Sequence, residues 1–365
     1  MRDLYIGLMS GTSLDGADGV LVDFSGVEPL VLASATGEFS DDFRAELLAL
    51  NSPSGNELHR SALASNELAK TYANVVKQLL HDASLAAKDV QAIGAHGQTV
   101  RHQPTAGYTT QLNNPALLAE RTGIDVVADF RSRDVAAGGQ GAPLVPAFHQ
   151  SVFGKPGVTT LVLNIGGIAN LSVLPVSGEV LGFDCGPGNA LMDAWCLQHT
   201  GERFDTGGQW AASGKLIPAL LTSLLEEEYF ALPPPKSTGR DLFSLTWLKN
   251  KLTPFVMQSP QDVQNTLTEF TVRACVKGVT SYLNNSKELI VCGGGAYNNW
   301  LMQRLQVALP TLNVVPSSAC GLPPLQVEAA AFAWLARQTT LRLPGNLPSV
   351  TGAHGLRVLG AVYPA

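Results

Sequence analysis

Two segments of the chain share one plan and constrain its fold more than any other feature. Residues 4–24, LYIGLMSGTSLDGADGVLVDF, and residues 159–176, TTLVLNIGGIANLSVLPV, each combine an apolar strand, a glycine-bearing polar turn and a second strand. Their identity is weak, but each opens a half-chain in which strands and helices alternate. We therefore predict an α/β protein with two duplicated lobes around a central cleft, where ligands commonly bind.

The lobe boundaries follow from where the second hairpin plan begins. We predict an N-terminal lobe over residues 1–128, with residues 340–365 returning to it, and a C-terminal lobe over residues 129–339. The chain has 365 residues, which suffices for two domains of ordinary size.

Composition narrows the class of protein. The chain is 45% hydrophobic and 15% charged, as expected for a well-buried globular protein. A net charge of −6 without a Lys/Arg cluster argues against nucleic acid or an anionic membrane as partner. Five scattered cysteines without CxxC indicate reduced thiols and no zinc site. With no apolar run of about 18 residues and no signal-peptide pattern, a cytoplasmic enzyme is expected.

Four glycine-rich turns follow apolar strands: SGTSLDGAD, NIGGIAN, DCGPGNA and CGGGAYNN. Glycine allows the backbone to approach a phosphate and to point its N–H groups at it. Each turn taken alone is equally typical of a tight hairpin. Neither GxxxxGK[ST] nor GxGxxG occurs, which excludes a P-loop and a dinucleotide fingerprint. Any phosphate site is therefore expected between two hairpins.

Three aspartates near these turns are candidates for chemistry. Asp15 and Asp18 suit a Mg²⁺ held through water, since Mg²⁺ needs few direct carboxylates, but they equally suit turn caps. Asp184 follows the strand EVLGF, at a strand end where α/β proteins place reacting groups. It could take a proton from a hydroxyl or water that attacks a phosphate, or it could cap the next helix.

Other polar residues suit a small anionic substrate. Arg131 and Asp134 precede a flexible GGQG stretch, and a guanidinium suits a carboxylate, although a surface salt bridge is the alternative. Gln98 and Thr99 lie in AHGQTVRH at another strand end, where a lone histidine is usually a packed structural residue. Glu328 begins an apolar helix, either because of the helix dipole or to face a ligand.

Taken together and in order, several motifs resemble the anhydro-N-acetylmuramic acid kinase family. They are GLMSGTSLDGADG, AHGQTVRH, VADFRSRDVAAGGQGAPLVP, LNIGGIANLS, GFDCGPGNALMD, CGGGAYN and EAAAFAWLA. The resemblance implies the duplicated, ribonuclease H-like fold of actin-like ATPases. It also implies an enzyme of peptidoglycan recycling that uses ATP and water to convert 1,6-anhydro-N-acetylmuramic acid into N-acetylmuramic acid 6-phosphate. A homodimer and Mg²⁺ are implied as well.

The resemblance also assigns roles to residues. Asp184 matches the catalytic base, and Asp15 and Asp18 serve the metal through water. The substrate pocket is implied for Gln98, Thr99, Arg131, Asp134 and Glu328. ATP binding is implied for Gly11, Thr12, Ser13, Leu14, Asp15, Gly16, Ala17, Asp18, Gly166, Gly167, Gly293, Gly294 and Gly295.

Two alternatives stay open at the level of the sequence. One is a kinase for another amino sugar, and the other is an actin-like ATPase module that signals by lobe motion. The stretch QLNNPALLAERTG departs from the more usual QIGDP form of the family at Asn113 and Asn114, so neither position receives a role by transfer.

Overall fold

The computed structural model describes residues 2–11, 14, 16–234, 236–239 and 242–365. Two compact units are present: the first unit comprises Met1–Val152 with Gln326–Ala365, and the second unit comprises Phe153–Leu325. These ranges differ from the lobe ranges expected above, because residues 129–152 and 326–339 belong to the first unit.

Strands and helices alternate through the described residues. In chain order the strands are β1 (Leu4–Met9), β2 (Gly16–Asp23), β3 (Leu30–Glu38), β4 (Ala92–Ala95), β5 (Gln98–Gln103), β6 (Tyr108–Leu112), β7 (Val126–Ala128), β8 (Thr159–Ile165), β9 (Ile168–Leu174), β10 (Leu181–Pro187), β11 (Ser286–Cys292), β12 (Asn313–Pro316) and β13 (Ala361–Tyr363). The α-helices are α1 (Asp41–Ala49), α2 (Glu57–Asp82), α3 (Pro115–Thr122), α4 (Ser132–Ala136), α5 (Val145–Phe153), α6 (Ala190–Thr200), α7 (Gln209–Ser213), α8 (Pro218–Leu225), α9 (Leu245–Leu252), α10 (Pro260–Val279), α11 (Asn299–Ala308), α12 (Val327–Thr340) and α13 (Pro348–Thr351).

The main sheets of the two units repeat one topology. In the first unit the order is β13-β7-β4-β1-β2-β3, and in the second it is β10-β9-β8-β11-β12. In both, an antiparallel meander of three strands (β1-β2-β3 and β8-β9-β10) is extended by two strands that run parallel to its first strand. The α/β class and the duplicated plan predicted from the two hairpins are therefore confirmed.

Helix α12 packs directly on the first sheet at two glycines. Gly7 of β1 and Gly94 of β4 are register partners on adjacent parallel strands. A Cβ atom at Gly7 would lie 1.8 Å from the carbonyl oxygen of Ala329, and one at Gly94 would lie 2.0 Å from that of Phe332. The backbone of α12 thus rests on bare strand backbone, and this contact explains why α12 belongs to the first unit.

Apolar residues at three- and four-residue spacing over residues 56–81 predict a helix, and α2 forms there. Its side chains Leu68, Tyr72 and Val76 are buried at four-residue spacing. At α3 the Asn114 side chain accepts a hydrogen bond from the Leu117 N–H, and the helix ends at Gly123 in the left-handed conformation. Asn114 is therefore the N-cap of α3.

In the second unit, α10 and α11 cover one face of the sheet. Leu161, Leu163 and Val291 from the strands join Val272 of α10 and Leu305 of α11 in one buried cluster. Strand alternation places these side chains on one face of the sheet, and their neighbours Val162 and Ile290 are buried on the other. Across the described residues, no helix combines the length and apolar character required to cross a bilayer.

Candidate functional site

Three of the four predicted glycine turns meet at one end of the second sheet. The β8–β9 turn at Gly166 and Gly167 accepts three backbone hydrogen bonds from the turn after β10: Gly188 to Gly167 (2.9 Å), Asn189 to Gly166 (2.7 Å) and Ala190 to Gly167 (3.2 Å). A Cβ atom at Gly188 would lie 2.3 Å from the Gly166 carbonyl oxygen, so this approach requires glycine.

These bonds orient the N–H groups of the β8–β9 turn. The carbonyls of Ile165 and Gly166 face Asn189, through its side-chain amide (3.1 Å) and its backbone N–H (2.7 Å). In a trans peptide the C=O and N–H point in opposite directions, so the N–H groups of Gly166 and Gly167 point away from Asn189. A Cβ atom at Gly166 would meet only the Ile168 carbonyl at 3.8 Å, so there is open space beside its Cα atom. Adjacent N–H groups that point the same way suit a phosphate oxygen.

The turn after β11 completes this group of turns. Gly293 has φ +78°, and a Cβ atom there would lie 2.4 Å from the Asn164 side-chain oxygen and 2.7 Å from the Ile165 carbonyl. Gly294 and Gly295 form a short 3₁₀ turn beside Ile165. The structure therefore brings Gly166, Gly167 and residues 293–295 together, as their shared assignment to ATP requires.

Asp184 lies inside β10 rather than after it. Pairing with β9 continues to Pro187 through a bulge between Asp184 and Gly186, and α6 begins three residues later with Asn189 as its N-cap. The helix-cap interpretation of Asp184 is therefore wrong. Bulges re-aim a side chain within a ladder, and here the bulge follows the candidate base directly.

The Asp184 carboxyl is held on one side only. Its Oδ2 accepts a hydrogen bond from the Thr238 N–H (2.9 Å), whereas Oδ1 accepts none from the described residues. Burial raises the pKa of Asp184 to about 6, and the Thr238 N–H opposes this rise by stabilising the charged form. A half-buried carboxylate that titrates near neutrality with an open oxygen is suited to general-base chemistry.

A row of polar residues leads from Asp184 across the sheet. Asp184 is the register partner of Asn170 in β9, and Asn170 is the partner of Asn164 in β8. Directly opposite residues in a sheet share a face, so all three side chains lie on one face beside the glycine turns. The two ends of the NIGGIAN motif are therefore aligned with Asp184.

In the first unit, the β1–β2 turn occupies the topological position of the β8–β9 turn. Gly11 accepts a hydrogen bond from the Leu14 N–H (3.3 Å), and Leu14 has a left-handed φ of 59°. Asp18 lies in β2 with an exposed side chain that accepts a hydrogen bond from Thr36 (2.9 Å). Gly16 and Ala17 are buried strand residues. The predicted positions Thr12, Ser13 and Asp15 lie outside the described residues.

Arg131 is fixed by a histidine and a backbone carbonyl. Its Nε and Nη2 donate to His96 Nε2 (3.1 and 2.9 Å), and its Nη1 donates to the Gly141 carbonyl (2.8 Å). Burial and the charge of Arg131 lower the pKa of His96 to about 3, so His96 is neutral and accepts at Nε2. Burial lowers the pKa of Arg131 to about 10, and the charge of Glu328 partly offsets this. His96 is thus a packed structural residue that orients the guanidinium.

Glu328, Gln98 and Thr99 occupy defined local positions in the first unit. Glu328 is half-buried in the first turn of α12, a position that fits both the dipole interpretation and a ligand-facing one. Gln98 is 1% exposed, and its side-chain oxygen accepts a hydrogen bond from Ser10 at the end of β1. Thr99 accepts a hydrogen bond from Gln111 (3.2 Å). Gln98 therefore joins β5 to the start of the β1–β2 turn.

Asp134 is fully buried and joins three separate segments. Its Oδ2 accepts a hydrogen bond from the Gly141 N–H (2.7 Å), and its Oδ1 accepts from Asn346 (2.7 Å) and Thr351 (2.8 Å). Gly141 is also the residue whose carbonyl receives Arg131. The enclosed Asp134 carboxyl therefore holds the loop that positions Arg131.

Replacing Asp134 by Asn is expected to destabilise the protein by about 2 kcal/mol, because an amide nitrogen cannot accept and one buried donor loses its partner. Urea unfolding monitored by circular dichroism measures the change. Asp42→Asn, at an exposed position in α1, is the control and should shift stability far less. Equal stability of the two variants would contradict the role assigned to Asp134.

Residues that sequence reasoning missed surround Asp184. Tyr229, Lys236 and Thr238 all contact Asp184, and they come from the irregular Pro-rich region that received no function. Lysine, serine, threonine and glycine in PPPKSTG were the available signal, but nothing local connects them to a strand about 50 residues away. Pro235, Arg240 and Asp241 of this region lie outside the described residues.

Comparison with known proteins gives a consistent result along the chain. A sequence model of the anhydro-N-acetylmuramic acid kinase family matches residues 3–365. The anhydro-N-acetylmuramic acid kinase of Variovorax paradoxus is 63% identical over 372 residues, covering all of this chain and 99% of the relative. That of Nitrosomonas europaea is 55% identical over 363 residues, covering 99% of each.

Solved structures resemble the chain more distantly. The activator of 2-hydroxyisocaproyl-CoA dehydratase from Clostridium difficile with bound ADPNP is 11% identical with a TM-score of 0.47, covering 94% of this chain and 98% of that one. A ROK family glucokinase from Streptomyces griseus with glucose and AMPPNP is 14% identical with a TM-score of 0.44, covering 92% and 99%.

Proposed function

The chain belongs to the anhydro-N-acetylmuramic acid kinase family, and from this premise we propose that it phosphorylates 1,6-anhydro-N-acetylmuramic acid with ATP while opening the anhydro ring with water. The products are N-acetylmuramic acid 6-phosphate and ADP, in the recycling of peptidoglycan. The observation that carries the proposed mechanism is the half-buried Asp184, whose one oxygen is held and whose other accepts no hydrogen bond from described residues.

The reaction requires two bonds to change together. In the anhydro sugar O6 is bonded to C1, so no free 6-hydroxyl exists. Water attacks C1 and gives a proton to a base, the C1–O6 bond breaks, and O6 attacks the γ-phosphorus as ADP leaves. Water thus supplies the new C1 hydroxyl, and ATP supplies the phosphoryl group.

Asp184 is the proposed base. Its pKa of about 6 leaves the carboxyl ionised at neutral pH, yet basic enough to accept a proton as water attacks. The Thr238 N–H holds Oδ2, which leaves Oδ1 for the water. Attack by water is otherwise slow because neutral water is a weak nucleophile, and a positioned base removes that limit.

Backbone groups of the glycine turns are the proposed ATP ligands. The N–H groups of Gly166 and Gly167 suit phosphate oxygens, and residues 293–295 lie beside the same turn. Residues 11–18 are the proposed counterpart in the first unit, since their turn holds the same place in the strand order. Such donors also stabilise charge that moves during phosphoryl transfer.

Mg²⁺ fits this donor set. Among the described residues no three His, Cys, Asp or Glu side chains gather as a metal site, so Mg²⁺ would rely on phosphates, water and one or two carboxylates. The exposed carboxylate of Asp18 fits that requirement, and Asp15 is proposed beside it. When bound, Mg²⁺ would neutralise phosphate charge.

Residues of the first unit are proposed to bind the sugar. Arg131 presents a guanidinium that suits an anionic substituent such as the sugar's carboxylate, and its hydrogen-bond partner His96 is neutral. Gln98, Thr99 and Glu328 are proposed as further sugar contacts, and Asp134 is proposed to position Arg131 from its buried site.

A coupled assay of ADP release tests the function. The full chain is incubated with ATP and Mg²⁺ plus the anhydro sugar, N-acetylmuramic acid, N-acetylglucosamine or no sugar. We expect ADP release with the anhydro sugar alone. Each ADP should be accompanied by one molecule of N-acetylmuramic acid 6-phosphate, and no inorganic phosphate should be released. Release with the other amino sugars would favour a kinase of different specificity, and equal release without sugar would favour an ATPase module.

Cytoplasmic location and a homodimer are proposed alongside this activity. The five cysteines are free thiols, four of them buried, as is usual in a reducing compartment. The dimer rests on the family resemblance, and light scattering of the purified chain measures it.

A further inference from the structure

Residues 236–238 lie beside β10 at Asp184. The Asp184 N–H donates to the Lys236 carbonyl (3.0 Å). In a parallel ladder, the carbonyl of the same residue would then accept from the N–H two residues further along the partner, which is Thr238. The Thr238 N–H instead donates to the Asp184 carboxylate, Oδ2, at 2.9 Å. The Asp184 carboxylate therefore holds the N–H that a parallel ladder would give to the Asp184 carbonyl.

Tyr229 binds the carbonyl oxygen of Asp184. Its hydroxyl donates to the Asp184 carbonyl oxygen at 2.7 Å. The Tyr229 ring is 5% exposed and packs edge-on against Phe230 and Phe243 (centroids 5.7 and 5.8 Å), so the hydroxyl is held in place. The Lys236 ammonium donates to the Tyr229 carbonyl (3.1 Å) and lies over its ring, which ties the covering segment to the same tyrosine.

We propose that Tyr229 is a positioning residue for the reaction: by occupying the Asp184 carbonyl, its hydroxyl keeps the Thr238 N–H on the Asp184 carboxylate and fixes which oxygen faces water. The inference rests on the proposed function, in which Asp184 is the base. Tyr229 itself touches no reacting atom in this scheme and acts through Thr238.

The proposal has a consequence for the ionisation of Asp184. A hydrogen bond to the charged form lowers a carboxyl pKa, and the Thr238 N–H has this effect here against the larger effect of burial. Tyr229 and Cys185 interact electrostatically with Asp184, and the pKa of each is raised, so both are neutral near pH 7. The Lys236 carbonyl accepts from the Asp184 N–H, and the Lys236 ammonium donates to the Tyr229 carbonyl. Without the tyrosine hydroxyl, we expect the Thr238 N–H to donate to the Asp184 carbonyl, so that the carboxylate loses its donor.

Tyr229→Phe tests the inference in the full chain. The carboxyl carbon of Asp184 is titrated by ¹³C NMR, its signal assigned by its absence in Asp184→Asn. We expect its pKa to rise in Tyr229→Phe, and the sugar-dependent kcat at pH 6 to fall about tenfold, the size expected when a hydrogen bond to a charged group is lost. The fall is expected to be smaller at pH 8.5, with little change in KM.

Tyr282→Phe is the matched control, a half-buried tyrosine of the second unit that packs near Phe183 without contacting Asp184. Thr238→Pro removes the N–H while leaving Tyr229, and should raise the Asp184 pKa as Tyr229→Phe does. An unchanged pKa in folded Tyr229→Phe, or a rise in Thr238→Pro alone, would overturn the role of Tyr229. The titration needs no turnover, so it answers this question even if Asp184→Asn proves active and the proposed base is wrong.

Discussion

Asp184→Asn is expected to lower kcat/KM for the anhydro sugar by about 10²- to 10⁴-fold, the contribution typical of a positioned general base. An amide keeps the size of the side chain and can still accept the Thr238 N–H at its oxygen, so the fold around β10 should persist. It cannot take a proton from water at neutral pH. The sugar-dependent ADP assay measures the loss, and circular dichroism and ATP binding show that the variant is folded.

The pH dependence of the rate separates a base from a merely structural carboxyl. Since the pKa of Asp184 is raised to about 6 and the ionised form is the active one, kcat/KM of the unmodified chain should fall as pH drops through about 6 and level off above it. The residual rate of Asp184→Asn should lack this acid limb. Glu288→Gln, which removes a carboxylate paired with Lys155 on β11, serves as the control and should keep it. Near-normal turnover of Asp184→Asn would show that another group is the base.

Gly7→Ala is expected to destabilise the first unit by about 3 kcal/mol or more, near the upper end for overpacking of a core. Its new methyl carbon would start 1.8 Å from the Ala329 carbonyl oxygen, which is helix backbone and cannot rotate away as a side chain can. The helix must therefore lift from β1 and β4. A loss of this size corresponds to a fall in Tm of roughly 6–12 °C for a unit of this length.

Two further glycine variants make the stability result specific. Gly94→Ala should behave like Gly7→Ala, because it meets the Phe332 carbonyl of the same helix at 2.0 Å. Gly55→Ala is the matched control, since no atom lies within 4 Å of its new methyl group. Differential scanning calorimetry measures all three, and a Gly7→Ala protein as stable as Gly55→Ala would contradict the close contact between α12 and the sheet.

The order of the secondary-structure elements was largely predictable because its signals are local. Apolar residues at three- and four-residue spacing identified α2, and apolar runs that end in glycine turns identified β1, β2, β8 and β9. The boundary of the first unit was not predictable in this way. It depends on α12, which rests on Gly7 and Gly94 although it follows them by about 320 and 240 residues, and a glycine inside a strand does not show what approaches it.

Some residues of the candidate site could also be identified from local sequence, whereas others required the structure. Glycine turns after strands indicated Gly166 and Gly167 and residues 293–295 before the sheet showed that they adjoin. Asp184 was singled out by its position near a strand end, yet its helix-cap alternative could be rejected only once β10 was seen to continue to Pro187. His96 was expected to be structural, and its hydrogen bonds from Arg131 give it that role.

By itself, the sequence determined that two half-chains repeat one α/β plan, because strand periodicity and glycine turns depend only on residues that are adjacent in the sequence. It also placed the chain in its family through motifs that occur in order. Only the tertiary structure decided how Asp184 is held. Its partners Tyr229 and Thr238 lie 45 and 54 residues away, in a short 3₁₀ helix and the loop that follows it. Burial and hydrogen bonding set a carboxyl's pKa, and both depend on which distant groups pack around it.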